Sequence, residues 1–312
     1  MSASEAPLNL IVDTDVGSDD LLAISFLLSR PDIKIEAFTV ANGLAHVPAG
    51  AEILLRLEGA AGTLIPVYLG RESPLRGDVH FPKAWRQQSD TQPGVELPPP
   101  ISRPQQESAV DFLKKRLADT SKPVTILALG PLTNLGQLFQ ESPASTAAVR
   151  QLIIMGGAVG VPGNAPENAK SPVAEWNIYV DPYAAQLVFQ AGMQPLLVPL
   201  NATNTVPIGE DFVKQFRAQA HTRLGTIVDE VLAGDQPYIH QHSFYAWDPL
   251  AAVAVAEPSV VTHSPMYLEV IQQAGPTLGE TAAIPGQQPN LEVSTSASAD
   301  IFRQTFLAAF SR

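Results

Sequence analysis

Apolar and polar positions alternate in blocks along the first two-thirds of the chain. Short, nearly continuous apolar runs (LNLIVD, IKIEAFTVA, KPVTILALG, VRQLIIMGG and QPLLVPL) are separated by segments with helical spacing: DLLAISFLLSR, AGAEILLRLEGA, PLTNLGQLFQ and DPYAAQLVFQAG. Apolar runs of this length bounded by glycine or proline read as strands buried on both faces. Such strands alternating with helices predict an α/β fold with a mostly parallel central sheet flanked by helices. The C-terminal part differs: helical stretches near 208–233 and 248–256, then strand-like MYLEVIQQ, TLGETAAI and LEVSTS, then a final helix near 299–311. Residues 70–106, rich in Pro, Gln and Gly, have weak periodicity and predict a long surface loop, of a length that usually covers a site. With that loop, 1–312 reads as a single domain.

The residues capable of chemistry fall at the predicted carboxyl ends of the strands, where open parallel sheets bind ligands. IVDTDVGSDD places four aspartates (Asp13, Asp15, Asp19 and Asp20) within eight positions after the first strand. One or two would suit the start of a helix, whose dipole favours negative charge. Four neighbouring carboxylates repel one another and resist burial, so the cluster points to a bound cation. Asn42 follows the second strand, GPLTN follows KPVTILALG, and Asn164 lies beyond the MGG turn. The three tryptophans, Trp85, Trp176 and Trp247, each sit beside polar residues. A tryptophan is ordinarily a core residue; three at element edges suggest aromatic walls around a flat ligand. Glu175, Asn177 and Asp248 add donors and acceptors beside those rings.

Composition narrows the chemistry. With 45% apolar and 16% charged residues, the chain can bury a large core, and its formal charge of -12 disfavours nucleic acid and anionic membranes. The absence of cysteine excludes disulfides, zinc thiolate sites and thiol nucleophiles. There is no HExxH, Gly-rich phosphate loop or GxSxG elbow. Carboxylate and carbonyl donors instead suit a hard cation such as Ca2+ or Mg2+. MSASEAPLNL lacks a basic stretch followed by a long apolar one, and no apolar run approaches membrane-spanning length, so a soluble cytoplasmic protein is expected. A cation, a spare carboxylate to act as base, polar groups for hydroxyls and aromatic rings together are what hydrolysis of a sugar–base bond needs.

On these residues the chain resembles the nucleoside hydrolases. DTDVGSDD is similar to the family's N-terminal DTDxGxDD, and the likeness continues through ALGPLTNL, IIMGGA with GN, EWNIYVDPYAA, VPLNATN and WDPLAA, in the family's order from Ile11 to Ala256. It is closest to the purine-preferring branch acting on inosine, adenosine and guanosine, which carries FPxxW, EWN and a tryptophan before the late aspartate. The resemblance implies a Rossmann-like fold, a small-molecule ribonucleoside substrate, and a calcium ion (Ca2+) held by Asp15, Asp20, Asp248 and the backbone carbonyl of Leu129. It makes Asp15 the general base, directs Asp19 and Asn42 to the ribose 2′ and 3′ hydroxyls, and gives the 5′ side to Asn164, Glu175 and Asn177. Trp85 and Trp247 would sandwich the purine with Trp176 nearby, and Asp13 would support the others from behind. Family members are commonly dimers or tetramers, so a homo-oligomer is expected.

Two features depart from the family's pattern. Val16 stands where many members have proline or a polar residue, and TVANGLAH replaces the usual end of the second strand. No histidine precedes Asp248, so activation of the leaving base would rest on stacking. Three rival readings remain: a pyrimidine or broad ribonucleoside preference, a nucleoside-binding protein with little turnover, and a haloacid-dehalogenase-type phosphatase. The last requires Thr or Val two positions after the second Asp of DxD, where this chain has Gly17.

Overall fold

The computed structural model describes residues 6–165 and 171–311. Its strands, in chain order, are β1 (Leu8–Thr14), β2 (Ile33–Val40), β3 (Val67–Leu69), β4 (Val124–Ala128), β5 (Val149–Met155), β6 (Leu196–Val198), β7 (Val261–Met266), β8 (Leu268–Val270), β9 (Thr281–Ala283) and β10 (Leu291–Ala297). Eight of them form one sheet in the order β3-β2-β1-β4-β5-β6-β10-β7, while β8 and β9 pair as a small antiparallel ribbon. All neighbours in the large sheet run parallel except β7, which lies antiparallel to β10.

The continuous apolar runs follow from burial on both faces. Successive side chains point to opposite sides of a strand, and each side has its own core. Val12, Leu127 and Ile153 join the layer holding the helices Ser18–Leu28, Arg223–Gly234 and Trp247–Ala256. Their sequence neighbours Ile11, Ile126 and Ile154 join the opposite layer, with the helices Thr133–Glu141 and Pro182–Phe189. The strand order reverses between β1 and β4, and that reversal leaves a crevice beyond their carboxyl ends. It fixes where the site must be.

The C-terminal helix Ala299–Ala308 seals the first layer with Phe302 and Phe306; Phe306 stacks on Phe26 with ring centroids 5.5 Å apart. Ser298 caps this helix by accepting the Ile301 amide at 3.3 Å. Ser298→Ala should cost about 1 kcal/mol, read as a lower denaturation midpoint; an unchanged midpoint would show the cap to be idle.

Two stretches differ from the sequence reading. Residues 70–106 are not loop throughout, because Lys83–Thr91 is helical. Ser89 is its only fully buried side chain, so no apolar stripe marked it. β7 has no apolar run to mark it: VTHSPM is an edge strand, largely exposed and carrying Pro265, which an edge position tolerates.

Candidate active site

The turn from β1 into the helix Ser18–Leu28 builds the floor of the crevice. Val16 adopts φ +59°, a left-handed conformation that is strained for a β-branched residue. Its side chain is fully buried in the core beside Gly50, so this departure from the family pattern does not face the crevice. The strained turn brings the Gly17 amide to Asp20 Oδ2 at 2.8 Å, and Thr14 Oγ1 donates to the other carboxylate oxygen of Asp20. Asp15 Oδ2 accepts the Leu44 amide at 2.8 Å, and the Asp15 carbonyl accepts Ala45 N at 2.9 Å. Gly43 must be glycine for this approach, since a Cβ there would lie 1.9 Å from Asp15 Oδ2. Behind them the Asp13 carboxylate accepts Thr39 Oγ1 at 2.5 Å and Asn134 Nδ2 at 2.8 Å, tying β1 to β2 and to the helix after β4.

These aspartates open into a cavity of about 340 Å³, within the range of small-molecule sites. Asp19, Asp20 and Asp248 each bring a carboxylate oxygen within 4.8 Å of the others. Asp15 is outside that trio, but it lines the same cavity close enough to Asp20 for the Asp20 charge to raise its carboxyl. Asp248 arrives on the first turn of the helix Trp247–Ala256. The Leu129 carbonyl, just past β4, accepts Asn177 Nδ2 at 2.7 Å and keeps a second lone pair.

The far wall comes from the segment after β5. Glu175 caps the helix Trp176–Val180: Oε1 accepts Asn177 N at 3.0 Å, and Oε2 accepts Gly157 N at 2.9 Å and Ile178 N at 3.2 Å. Asn164 Oδ1 accepts the Trp176 amide at 3.0 Å. Trp176 stacks on Phe81 (4.6 Å) and meets the edge of Trp85 (5.8 Å), which is 38% exposed on the helix Lys83–Thr91. Trp247, also in the cavity lining, packs edge-on against Phe244 at 5.4 Å. Two aromatic groups thus line the same cavity as the aspartates.

The electrostatics are severe. Burial drives the carboxyls of Asp15, Asp19 and Asp248 well above their ordinary range, and neighbouring aspartate charges push them further. Burial also raises Asp20, although the donors from Thr14 and Gly17 pull it back. Asp13 is pushed up to about 7 by burial. Among the described residues, six carboxylates (Asp15, Asp19, Asp20, Glu175, Asp235 and Asp248) line the cavity, and no lysine, arginine or histidine does. A buried set of oxygen donors without a protein cation fits a hard divalent ion.

Of the residues singled out in the sequence, Asp15, Asp19, Asp20, Trp85, Leu129, Asn164, Glu175, Trp176, Asn177, Trp247 and Asp248 meet around this cavity. Asn42 stands apart: buried and outside the lining, it donates Nδ2 to Thr133 Oγ1 at 3.1 Å, and its Oδ1 has no partner. Sequence reasoning missed Asp235, which burial pushes up to about 6 against the opposing hydrogen bond from Ser18. GDQPYIH carries no motif that marks it.

Fold and site define a doubly wound α/β protein with an acidic ligand cavity at the switch point of its sheet. The chain matches the family model of the inosine-uridine preferring nucleoside hydrolases over residues 10–304, and it belongs to that family. It is similar to a pyrimidine-specific ribonucleoside hydrolase (RihA) of Salmonella paratyphi A, 31% identical and covering 96% of each chain. Among solved structures it resembles a plant nucleoside hydrolase, with a TM-score of 0.87, 27% identity, and coverage of 98% of this chain and 99% of that one. It also resembles a purine-preferring ribonucleoside hydrolase from Gardnerella vaginalis, with a TM-score of 0.83, 25% identity, and coverage of 97% and 98%. Among the described residues no helix is long and apolar enough to cross a membrane.

Proposed function

We propose that this nucleoside hydrolase cleaves the N-glycosidic bond of purine ribonucleosides (inosine, adenosine and guanosine) to free base and ribose. The observation that carries the purine preference is that Trp85, Trp176 and Phe81 line one cavity together with Trp247 and Phe244. Several aromatic rings in one cavity offer stacking area that a two-ring base uses more fully than a one-ring base. The pyrimidine-specific relatives favour a second reading, in which the same chemistry acts on uridine or cytidine.

In this reading Asp15, Asp20, Asp248 and the Leu129 carbonyl would hold a calcium ion. Bound there, such an ion supplies Lewis-acid activation of water and a grip on sugar hydroxyls. Asp15 takes the proton of the attacking water as general base; the Leu44 amide and the close passage of Gly43 fix its carboxylate for that task. Asp19 accepts from the ribose 2′ and 3′ hydroxyls. Asn164, Glu175 and Asn177 face the 5′ side, and the fixed negative charge around the ring favours an oxocarbenium-like transition state. The stacked rings hold the departing base. The protein acts as a homo-oligomer in the cytoplasm.

The test is ribose release from inosine and from uridine by chelator-stripped protein, with and without added Ca2+. Calcium-dependent release mainly from inosine supports the proposal, whereas release mainly from uridine moves the function to the second reading. Trp85→Ala should lower kcat/KM for inosine by about tenfold or more, the scale of one base–aromatic stack, and lower that for uridine less. Equal losses on both substrates would remove Trp85 from purine recognition.

A further inference from the structure

Asp235 lies between the helices Arg223–Gly234 and Gln236–His240, at the C-terminal end of the first and directly before the second. It is 4% exposed and lines the cavity, and its Oδ2 has no hydrogen-bond partner. A buried carboxylate oxygen without a donor is costly. No lysine, arginine or histidine among the described lining residues is there to neutralise it. The Ser18 side chain donates to it, and its charge reaches Asp19 on the acidic floor. From Asp235 the chain turns back on itself, with Tyr238 N donating to the Asp235 carbonyl at 3.0 Å and Ser243 N to the Tyr238 carbonyl at 3.0 Å. This turn delivers Asp235, Tyr238, Phe244 and Trp247 to the same cavity. Asp235 has no place in the machinery for the sugar or the attacking water.

We propose that Asp235 determines base specificity by accepting hydrogen bonds from the N–H edge of a 6-oxopurine, so that the favoured substrates are inosine and guanosine. The proposal deepens the purine reading and rests on it. An ionised carboxylate offers only acceptors. Hypoxanthine presents its N1–H to such a group, and guanine presents N1–H and an amino hydrogen side by side. Adenine presents an amino group next to the bare acceptor N1, which repels a carboxylate. Unsubstituted purine has no donor on this edge. Asp235 lines the cavity together with Ser18 and Asp19, and it is close enough to Asp19 for its charge to raise that carboxyl. A base on C1′ is the neighbour of the 2′ hydroxyl that Asp19 holds in the proposed function, which brings its edge near Asp235. Loss of the donor should therefore be penalised, because it leaves the buried oxygen unpaired.

The experiment compares kcat/KM for inosine, 1-methylinosine, purine riboside and uridine, all with Ca2+, in the wild-type chain and in Asp235→Asn. The wild type should disfavour 1-methylinosine and purine riboside relative to inosine. Asp235→Asn should shrink the inosine to purine riboside ratio by at least about tenfold, the scale of one charge-assisted hydrogen bond. Comparing ratios between the two proteins cancels the intrinsic reactivity of each leaving base. A uniform loss on all substrates would make Asp235 a structural or ribose-facing residue and overturn the proposal, as would no change in the ratio. Should the variant fail to fold, equal wild-type turnover of inosine and 1-methylinosine overturns it without any substitution. Preferential turnover of uridine by the wild type would instead overturn the purine reading, while the ratio for Asp235→Asn still decides whether Asp235 reads the base.

Discussion

Asp15→Asn and Asp15→Ala should each lower kcat on the preferred nucleoside by at least about 10²-fold, the lower range for a positioned general base. The pair is more informative than either alone. Asparagine keeps the side-chain volume and can still accept the Leu44 amide, which in the native chain reaches Asp15 Oδ2 at 2.8 Å. It removes the charge and the basic lone pair. Alanine also strands that amide in a buried position, which adds roughly 1–3 kcal/mol of instability. Equal activity losses with unequal stability losses would separate the chemical role of Asp15 from its architectural one. Near-normal turnover by Asp15→Asn would take Asp15 out of proton transfer. Folding should survive in both variants, because the strained Val16 turn is held independently by Thr14, Gly17 and Asp20.

The core strands and their order of appearance were legible because burial on both faces leaves a nearly continuous apolar run in β1, β4 and the second half of β5. The acidic floor was legible for the opposite reason: four aspartates at the end of such a run have no bland explanation. The walls were only half legible. Trp85, Trp176 and Trp247 stood out by rarity, but the helix bearing Trp85 has polar residues almost all round, and no periodic signal shows it. Asp235 was invisible because its significance is three-dimensional: an ordinary aspartate beside a helix end becomes unusual only when the fold buries it next to Ser18 and leaves one oxygen unpaired. Asn42 illustrates the reverse limit. Sequence position put it at the strand end, one residue from a glycine that touches Asp15, yet its amide turns away to Thr133.

Removing the cation should abolish turnover, by at least about 10²-fold, and should also change how stability depends on pH. The activity loss follows from withdrawing several kcal/mol of transition-state stabilisation. The stability effect follows from proton linkage. Asp13, Asp15, Asp20 and Asp248 all have carboxyls raised above their ordinary value by burial. A carboxyl raised on folding makes the native state bind more protons than the unfolded one, so stability falls as pH rises. The loss begins near the ordinary carboxylate value of 3.8 and continues through the native values, which for Asp13 means up to about 7. The stripped protein should therefore melt at a lower temperature at pH 8 than at pH 5. A divalent cation competes with those protons, so adding Ca2+ should raise the melting temperature far more at pH 8 than at pH 5. At a hundredfold excess over its Kd the gain is about 2.7 kcal/mol. Thermal melts of stripped and reloaded protein at the two pH values measure this difference directly. Equal calcium shifts at both would mean that the aspartates are ionised without the ion, and no shift at either would mean that they do not hold it.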